Sequence, residues 1–195
     1  MALKPWSYGQ VETVLAAIHQ IAEDKRVAFR ARLKHFQRLG VPSGVNTGTG
    51  KRAAYGLDQL LQLSLAMQML ELGLSPERIT VLLQNWIRQR DFIFEVASDA
   101  RDRRAFLLLF PAALNSLRGS EGIKAQVPAA FAAVDEEGMK AVLQTKFEQP
   151  LGVIDLTGMV YSLFEKLREL GCDGHLSDAL RQLAAEFMNA KHSQA

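Results

Sequence analysis

The apolar residues near the amino terminus recur at helical spacing and predict two short helices. Residues 10–22 place five aliphatic side chains on one side, and residues 26–39 place three apolar side chains four and three positions apart, so that the two segments can pack together. The intervening residues 23–25 predict a turn. Two short helices joined by such a turn are typical of a helix-turn-helix unit. The apolar positions are Val11, Val14, Leu15, Ile18 and Ile21 in the first helix, and Phe29, Leu33 and Phe36 in the second.

Glycine and proline residues divide the next segment into a loop and two helices. Gly40 and Pro42 end the second helix, and the small, Gly-rich residues 43–50 predict a loop. Because basic residues follow this loop, residues 44–55 resemble a basic wing. Residues 58–72 are apolar nearly all round and predict a buried helix that ends at Gly73. The sequence Ser-Pro-Glu at 75–77 combines an N-cap, a proline at the first helical position and an acid in the first turn, so a further helix is expected over 76–95.

The remaining chain has a weaker pattern. The polar residues 98–104 predict a linker between a domain over 1–97 and a smaller α or α+β domain over 105–195. Residues 106–114, an apolar run interrupted by Pro111, favour a buried strand with a bulge. Further strands or short helices are expected at 127–134 and 140–147, a solvated turn at 135–137, and helices at 157–170 and 178–190. The predicted fold class is therefore mainly α with short strands.

Positive charge is concentrated near the amino terminus. Net charge is +2 for the whole chain, but residues 1–60 hold nine basic and four acidic side chains. Arg26, Arg30, Lys34 and Arg38 lie four apart and Arg32 lies between them, and no Asp or Glu occurs from Lys25 to Leu57. Like charges at this spacing destabilise a helix by roughly 0.2–0.5 kcal/mol per pair. A stripe of this kind indicates a surface that binds a polyanion.

Composition excludes several other classes. The single Cys172 excludes an internal disulfide and a Cys-rich zinc site. No stretch is apolar for 18 residues, and the amino terminus lacks the apolar run of a secretory signal. These features predict no membrane span and a cytoplasmic location.

Residues 33–83 together resemble the DNA-binding domain of the mercury-resistance regulator (MerR) family. That family has a Leu-Arg-aromatic-aromatic-Glu-Arg-Leu-Gly-Leu helix end, a wing that ends in Arg-x-Tyr, and two helices joined by Leu-Gly-Phe-Ser. The matching residues are Leu33, Phe36, Arg38-Leu39-Gly40-Val41, Arg52, Tyr55, Asp58, Leu60, Leu72-Gly73-Leu74-Ser75, Ile79 and Leu82-Leu83. With the first helix included, the resemblance extends over residues 10–95.

The chain also departs from the family pattern. Lys34, His35 and Gln37 replace an Arg, an aromatic residue and a Glu, and Arg52 and Tyr55 are three positions apart where the family has two. The family's long dimerising coiled coil and metal-binding cysteines have no counterpart, which disfavours metal sensing. The wider superfamily includes phage excisionases, so an excisionase-like architectural DNA-binding or adaptor protein remains the alternative.

The resemblance implies a sequence-specific transcription regulator whose recognition helix, 26–39, enters the major groove of double-stranded DNA. Arg30 and Arg32 are then expected at base edges, and Lys34 and Arg38 at phosphates. Other contacts are expected from the helix start and the wing, and a homodimer seam from the apolar residues of the helix after 76. The C-terminal part is expected to dimerise, bind a ligand or contact RNA polymerase, and the protein to associate with the nucleoid. The further DNA contacts are Arg26, Lys51, Arg52 and Tyr55, and the seam residues are Trp86, Ile87, Phe92 and Phe94.

No catalytic or cofactor pattern is found. The loop that ends at Gly50-Lys51 lacks the first glycine and the final Ser or Thr of a phosphate-binding loop, because Val45 and Arg52 stand there. Cys172 and His175 supply only two of the four ligands that a zinc site requires. We therefore expect no enzyme activity, no metal and no cofactor.

Overall fold

A computed structural model of the chain describes residues 5–45, 53–84, 90–91, 104–109, 131–145 and 151–173. Within these ranges the protein is mainly helical, with a few short antiparallel strands, as predicted. The chain divides into two units, one of Met1–Trp86 with Gly158–Ala195 and one of Ile87–Thr157. No helix in the described ranges is both long and apolar enough to cross a membrane.

The first helix, α1, spans Tyr8–Ile18 and starts earlier than the apolar pattern predicts. Ser7 and Gln10 explain this start, because they form a capping box in which each side chain bonds to the other residue's backbone N–H. The helix ends before residue 22 because Gln20 adopts a left-handed backbone conformation with φ 50°. The buried residues include Val11, Val14 and Leu15.

The second helix, α2, spans Arg26–Arg38 and follows a single 3₁₀ turn at Glu23–Lys25, in agreement with the predicted helix and turn. Its buried residues are Phe29, Leu33 and Phe36, the three positions that the apolar spacing selects. Gly40 has φ 84°, a left-handed conformation that glycine adopts without steric cost, and this ends the helix.

A two-stranded antiparallel sheet joins the amino terminus to the residues after the loop. Strand β1 is Trp6–Ser7 and strand β2 is Ala54–Tyr55, with Trp6 opposite Tyr55. β1 is too short to be recognised from sequence alternation. Residues 46–52, most of the predicted wing, lie outside the described residues.

Of the two helices that follow, the first agrees with the sequence prediction and the second ends earlier than predicted. α3 spans Leu57–Glu71 and is buried on several sides, and Gly73, with φ 84°, ends it. α4 spans Pro76–Leu83, and its N-cap Ser75 accepts a hydrogen bond from the Arg78 backbone N–H. Of the predicted extension of this helix to 95, only residues 90 and 91 beyond the cap are described, and both are helical.

The second unit contains a three-stranded antiparallel sheet in the order β4-β3-β5. β3 is Phe106–Leu109, β4 is Phe131–Val134 and β5 is Gly152–Asp155. The predicted strand over 106–114 is therefore confirmed up to residue 109, and the later part lies outside the described residues. A helix, α5, spans Glu136–Gln144.

The acidic residues at 135–137 do not form the solvated turn that we expected. Asp135 is the N-cap of α5, and its side chain accepts a hydrogen bond from the Gly138 backbone N–H at 2.9 Å. The two glutamates that follow lie in the first turn, where negative charge interacts favourably with the helix dipole. The acids therefore start a helix instead of separating two elements.

The last described helix, α6, spans Leu156–Glu169 and ends at Gly171, which has φ 62°. Residues from Gly158 onward group with the amino-terminal unit, whereas the sequence prediction placed 105–195 in one domain. Within that unit the Trp6 indole N–H donates to the Cys172 carbonyl at 2.7 Å. The division thus brings together segments that are far apart in the chain.

Candidate nucleic-acid interface

Helix α2 presents one apolar face inward and one exposed face outward. The inward face consists of Phe29, Leu33 and Phe36. On a helix of 3.6 residues per turn the opposite side carries positions 27, 31, 34 and 38. All four of these residues are exposed: Val27, Ala31, Lys34 and Arg38. This outward face of α2 has no described element covering it.

The cationic stripe runs from a sheltered position to the outward face, because residues four apart advance slowly around a helix. The Arg26 side chain is 16% exposed and the Arg30 side chain 48% exposed. Lys34 and Arg38 are exposed, and neither has an acidic partner among the described residues. Positive charge is therefore most available at the C-terminal half of α2.

An acid that sequence spacing did not reveal holds the N-terminal half of the stripe. Glu12 on α1 is 5% exposed. Its Oε1 lies 3.2 Å from Arg26 Nε and 3.6 Å from Arg30 Nε. Although no acid occurs between Lys25 and Leu57, Glu12 therefore compensates part of the positive charge of the stripe. The buried carboxylate in turn requires this compensating charge.

The contacts of Glu12 with the two arginines are contacts between charges and are not aligned hydrogen bonds. Glu12 Oε1 and Arg26 Nε are both buried and have no hydrogen bond of acceptable geometry within the described part of the chain. Tyr8 adds to the same cluster, because its hydroxyl donates to the Arg30 carbonyl at 3.4 Å. Burial, followed by the negative charge of Glu12, raises the pKa of Tyr8 above its ordinary value.

Arg32 lies on the flank of α2 opposite Arg30, since two residues advance about 200° around a helix. It lines a cavity of about 310 Å³ together with Lys25, His19 and Glu71. His19 Nδ1 lies 2.6 Å from Glu71 Oε1 and links α1 to α3. The two arginines that we expected at base edges therefore point away from each other, and neither belongs to the outward face.

The predicted wing contact at Tyr55 is wrong. The Tyr55 side chain is 0% exposed, and its hydroxyl accepts a hydrogen bond from Gln37 Nε2 on α2. Burial raises the pKa of Tyr55 to about 12. Tyr55 therefore anchors β2 to α2 and cannot contact a ligand. Lys51 and Arg52 lie outside the described residues, as do the predicted seam residues Trp86, Ile87, Phe92 and Phe94.

A side-chain contact also joins α2 to α4. His35 Nε2 lies 3.4 Å from Glu77 Oε1. Hydrogen bonds from the Glu77 backbone N–H, from Ser75 and from His35 hold the pKa of Glu77 below its ordinary value. These contacts tie the flank of α2 opposite Glu12 to the rest of the unit.

Two of the residues that shape the site were missed by sequence reasoning, although one carries a signal. Glu12 lies three and four positions before Leu15 and Ala16, both buried, so helical spacing places it beside the apolar face. An acid at such a position requires a cation on the facing helix. Gln37 carries no comparable signal, because its partner Tyr55 is distant in the chain.

The described residues contain no group of three or more His, Cys, Asp or Glu side chains that could hold a metal ion.

Neither a protein-family model nor a curated protein sequence matches the chain.

Proposed function

We propose that the protein is a sequence-specific DNA-binding transcription regulator of the MerR-like type, with α2 as its recognition helix. The observation that carries this proposal is the outward face of α2, where Lys34 and Arg38 are exposed without acidic partners among the described residues. Exposed cations on one face of a helix fit the phosphates of duplex DNA.

The surrounding elements support the same proposal. α1 and α2 are in contact, and the seven residues that connect them, 19–25, end in a 3₁₀ turn at Glu23–Lys25. Two packed helices with a short connection are the basic unit of a helix-turn-helix. Strand β2 forms the end of the predicted wing and pairs with β1 at the amino terminus, and Tyr55 attaches this sheet to α2. The Glu12 contacts and the His35–Glu77 pair brace the two flanks of the helix.

The basic residues of α2 then have two kinds of role, binding DNA and stabilising the packing of the helix. Lys34 and Arg38 are phosphate ligands. Arg30, half exposed and adjacent to Glu12, contributes from the edge of the face, and Arg26 stabilises the packing of α2 on α1. A homodimer would place two such helices on a pseudo-palindromic site.

The test is binding to a DNA site selected from a random pool, measured by fluorescence anisotropy over a range of salt concentrations. Each phosphate contact contributes a slope of about −0.9 in log K against log salt. The double variant Lys34→Gln/Arg38→Gln should therefore flatten the slope by about 1.8. The matched control, Lys140→Gln/Arg168→Gln, removes one exposed Lys and one exposed Arg from other helices and should leave the slope unchanged.

Three outcomes would contradict the proposal. Failure to select any preferred site would exclude sequence-specific recognition. A flat salt response of the wild-type chain would indicate a protein partner instead of DNA. Footprints with extended, phased coverage would favour the excisionase-like architectural alternative over a promoter regulator.

A further inference from the structure

Val27 is the most exposed large hydrophobic side chain recorded in the described part of the chain, at 74%. A single exposed aliphatic residue on a protein surface is ordinary. The position of Val27 is less ordinary, because it lies in the first turn of α2 on the outward face. The next residue along that face is Ala31, which is also exposed.

Helix formation does not account for a valine at this position. A β-branched side chain loses rotamer freedom in a helix and has a lower helix propensity than Ala, Lys or Glu. Val27 also takes no part in the apolar contacts of α2, which use the opposite side. The side chain therefore contributes neither to the helix nor to its packing.

The neighbours of Val27 define what could cover it. Arg30 is one turn away and Lys34 two turns away, so the apolar strip of Val27 and Ala31 is bordered by cations. A second copy of the chain docked symmetrically on this strip would bring the same cations together and repel itself. A polyanion with small apolar groups between its charges satisfies both features.

Duplex DNA has that chemistry in its major groove. The phosphates flank the groove, and the C5-methyl group of thymine is the apolar group that a base pair presents there. A small residue such as Ala31 lets the helix approach the base edges closely, and residues near the start of a recognition helix are those that reach them.

We propose that Val27 and Ala31 read thymine C5-methyl groups, and thus that apolar contacts carry part of the base specificity that sequence reasoning gave to Arg30 and Arg32. This inference rests on the proposed function.

The experiment replaces each thymine of the selected site in turn by deoxyuridine, which removes only the methyl group. Burial of one such group changes affinity about fourfold. We expect at least one position where the replacement weakens wild-type binding about fourfold and where Val27→Ser binds both sites equally. Val81→Ser is the matched control, because Val81 is 60% exposed on α4, and it should retain the wild-type response.

The outcomes separate this inference from the proposed function. Tight binding to a selected site with no thymine whose methyl group matters would overturn the inference and leave the proposed function intact. If removal of the methyl group still weakens binding in both Val27→Ser and Ala31→Ser, the inference is likewise overturned and the proposed function remains intact. Absence of any selected site would overturn both. Because Val27 is exposed, the melting temperature of Val27→Ser should equal that of the wild type, which verifies that the fold is retained.

Discussion

Helix α2 has an inner flank, which faces α1 and β2, and an outward face. The two differ in whether their polar side chains have partners within the protein. On the inner flank Arg26 and Arg30 lie against Glu12, and Gln37 donates to Tyr55. On the outward face Lys34 and Arg38 have no such partners among the described residues. Both regions carry positive charge on one helix, but the charge of the outward face is the more available to a ligand, because its cations are not held by an acid of the described residues.

This difference shows that the same residue type serves stability at one position and binding at another. Removing one member of a buried charge pair leaves the other member uncompensated, which is costly. An exposed cation contributes little to stability, and its loss is felt only when a ligand is present. Substitutions on the two sides of α2 should therefore affect different measurements.

The largest expected effect is on the free energy of unfolding of Glu12→Gln. The substitution keeps the shape of the side chain but removes the charge that faces Arg26 and Arg30, so we expect a loss of roughly 1–3 kcal/mol. Lys34→Gln should change the same quantity by less than about 0.5 kcal/mol. Urea unfolding of the three proteins measures the difference. Equal losses in both variants would show that the inner flank and the outward face do not differ in this way.

Local signals in the sequence account for most of the described fold. Apolar spacing located α1, α2 and α6, and a nearly continuous apolar segment located α3. Glycines in the left-handed conformation that stops a helix follow three of these four helices. Spacing failed where an element is very short, as in β1, or where a cap overrides the apolar pattern, as at Asp135. The grouping of the segment after Gly158 with the amino terminus depends on contacts distant in the chain, such as Trp6 with Cys172.

The candidate site was predicted less completely than the fold. Charge spacing identified the stripe, but a one-dimensional count of acids could not place Glu12 beside it, because that residue lies on another helix. Likewise, the resemblance selected Tyr55 by its position in a motif, and motif position does not reveal burial. Tertiary packing decides which polar groups remain exposed.

A smaller effect is expected from Tyr55→Phe, which removes the hydroxyl that pairs with Gln37 on the inner flank. Loss of this part-buried hydrogen bond should lower the free energy of unfolding by about 1 kcal/mol at neutral pH. The free energy of unfolding at alkaline pH provides a second measurement. The pKa of Tyr55 is raised to about 12 from an ordinary value near 10, so its contribution is fully present below pH 10 and is lost as pH rises toward 12.

The wild type should therefore lose more stability between pH 10 and pH 12 than Tyr55→Phe does. Tyr8, whose pKa is also raised, remains in both proteins, and its negative charge when ionised contributes to raising the pKa of Tyr55. Urea unfolding at several pH values across this window provides the measurement. An identical alkaline loss in the two proteins would mean that Tyr55 is not buried in its neutral form.

The smallest expected effect is on the salt dependence of DNA binding. It is measured in two variants, each of which lacks one cation from one side of α2. Lys34→Gln should reduce the slope of log K against log salt by about 0.9, because one phosphate contact is lost. Arg26→Gln should leave the slope unchanged, since the Arg26 side chain is only 16% exposed and faces Glu12. Arg26→Gln should instead lower the urea midpoint, which Lys34→Gln should not. If Arg26→Gln reduces the slope as much as Lys34→Gln does, Arg26 must leave Glu12 on binding, and the division between the two sides of the helix holds only without DNA.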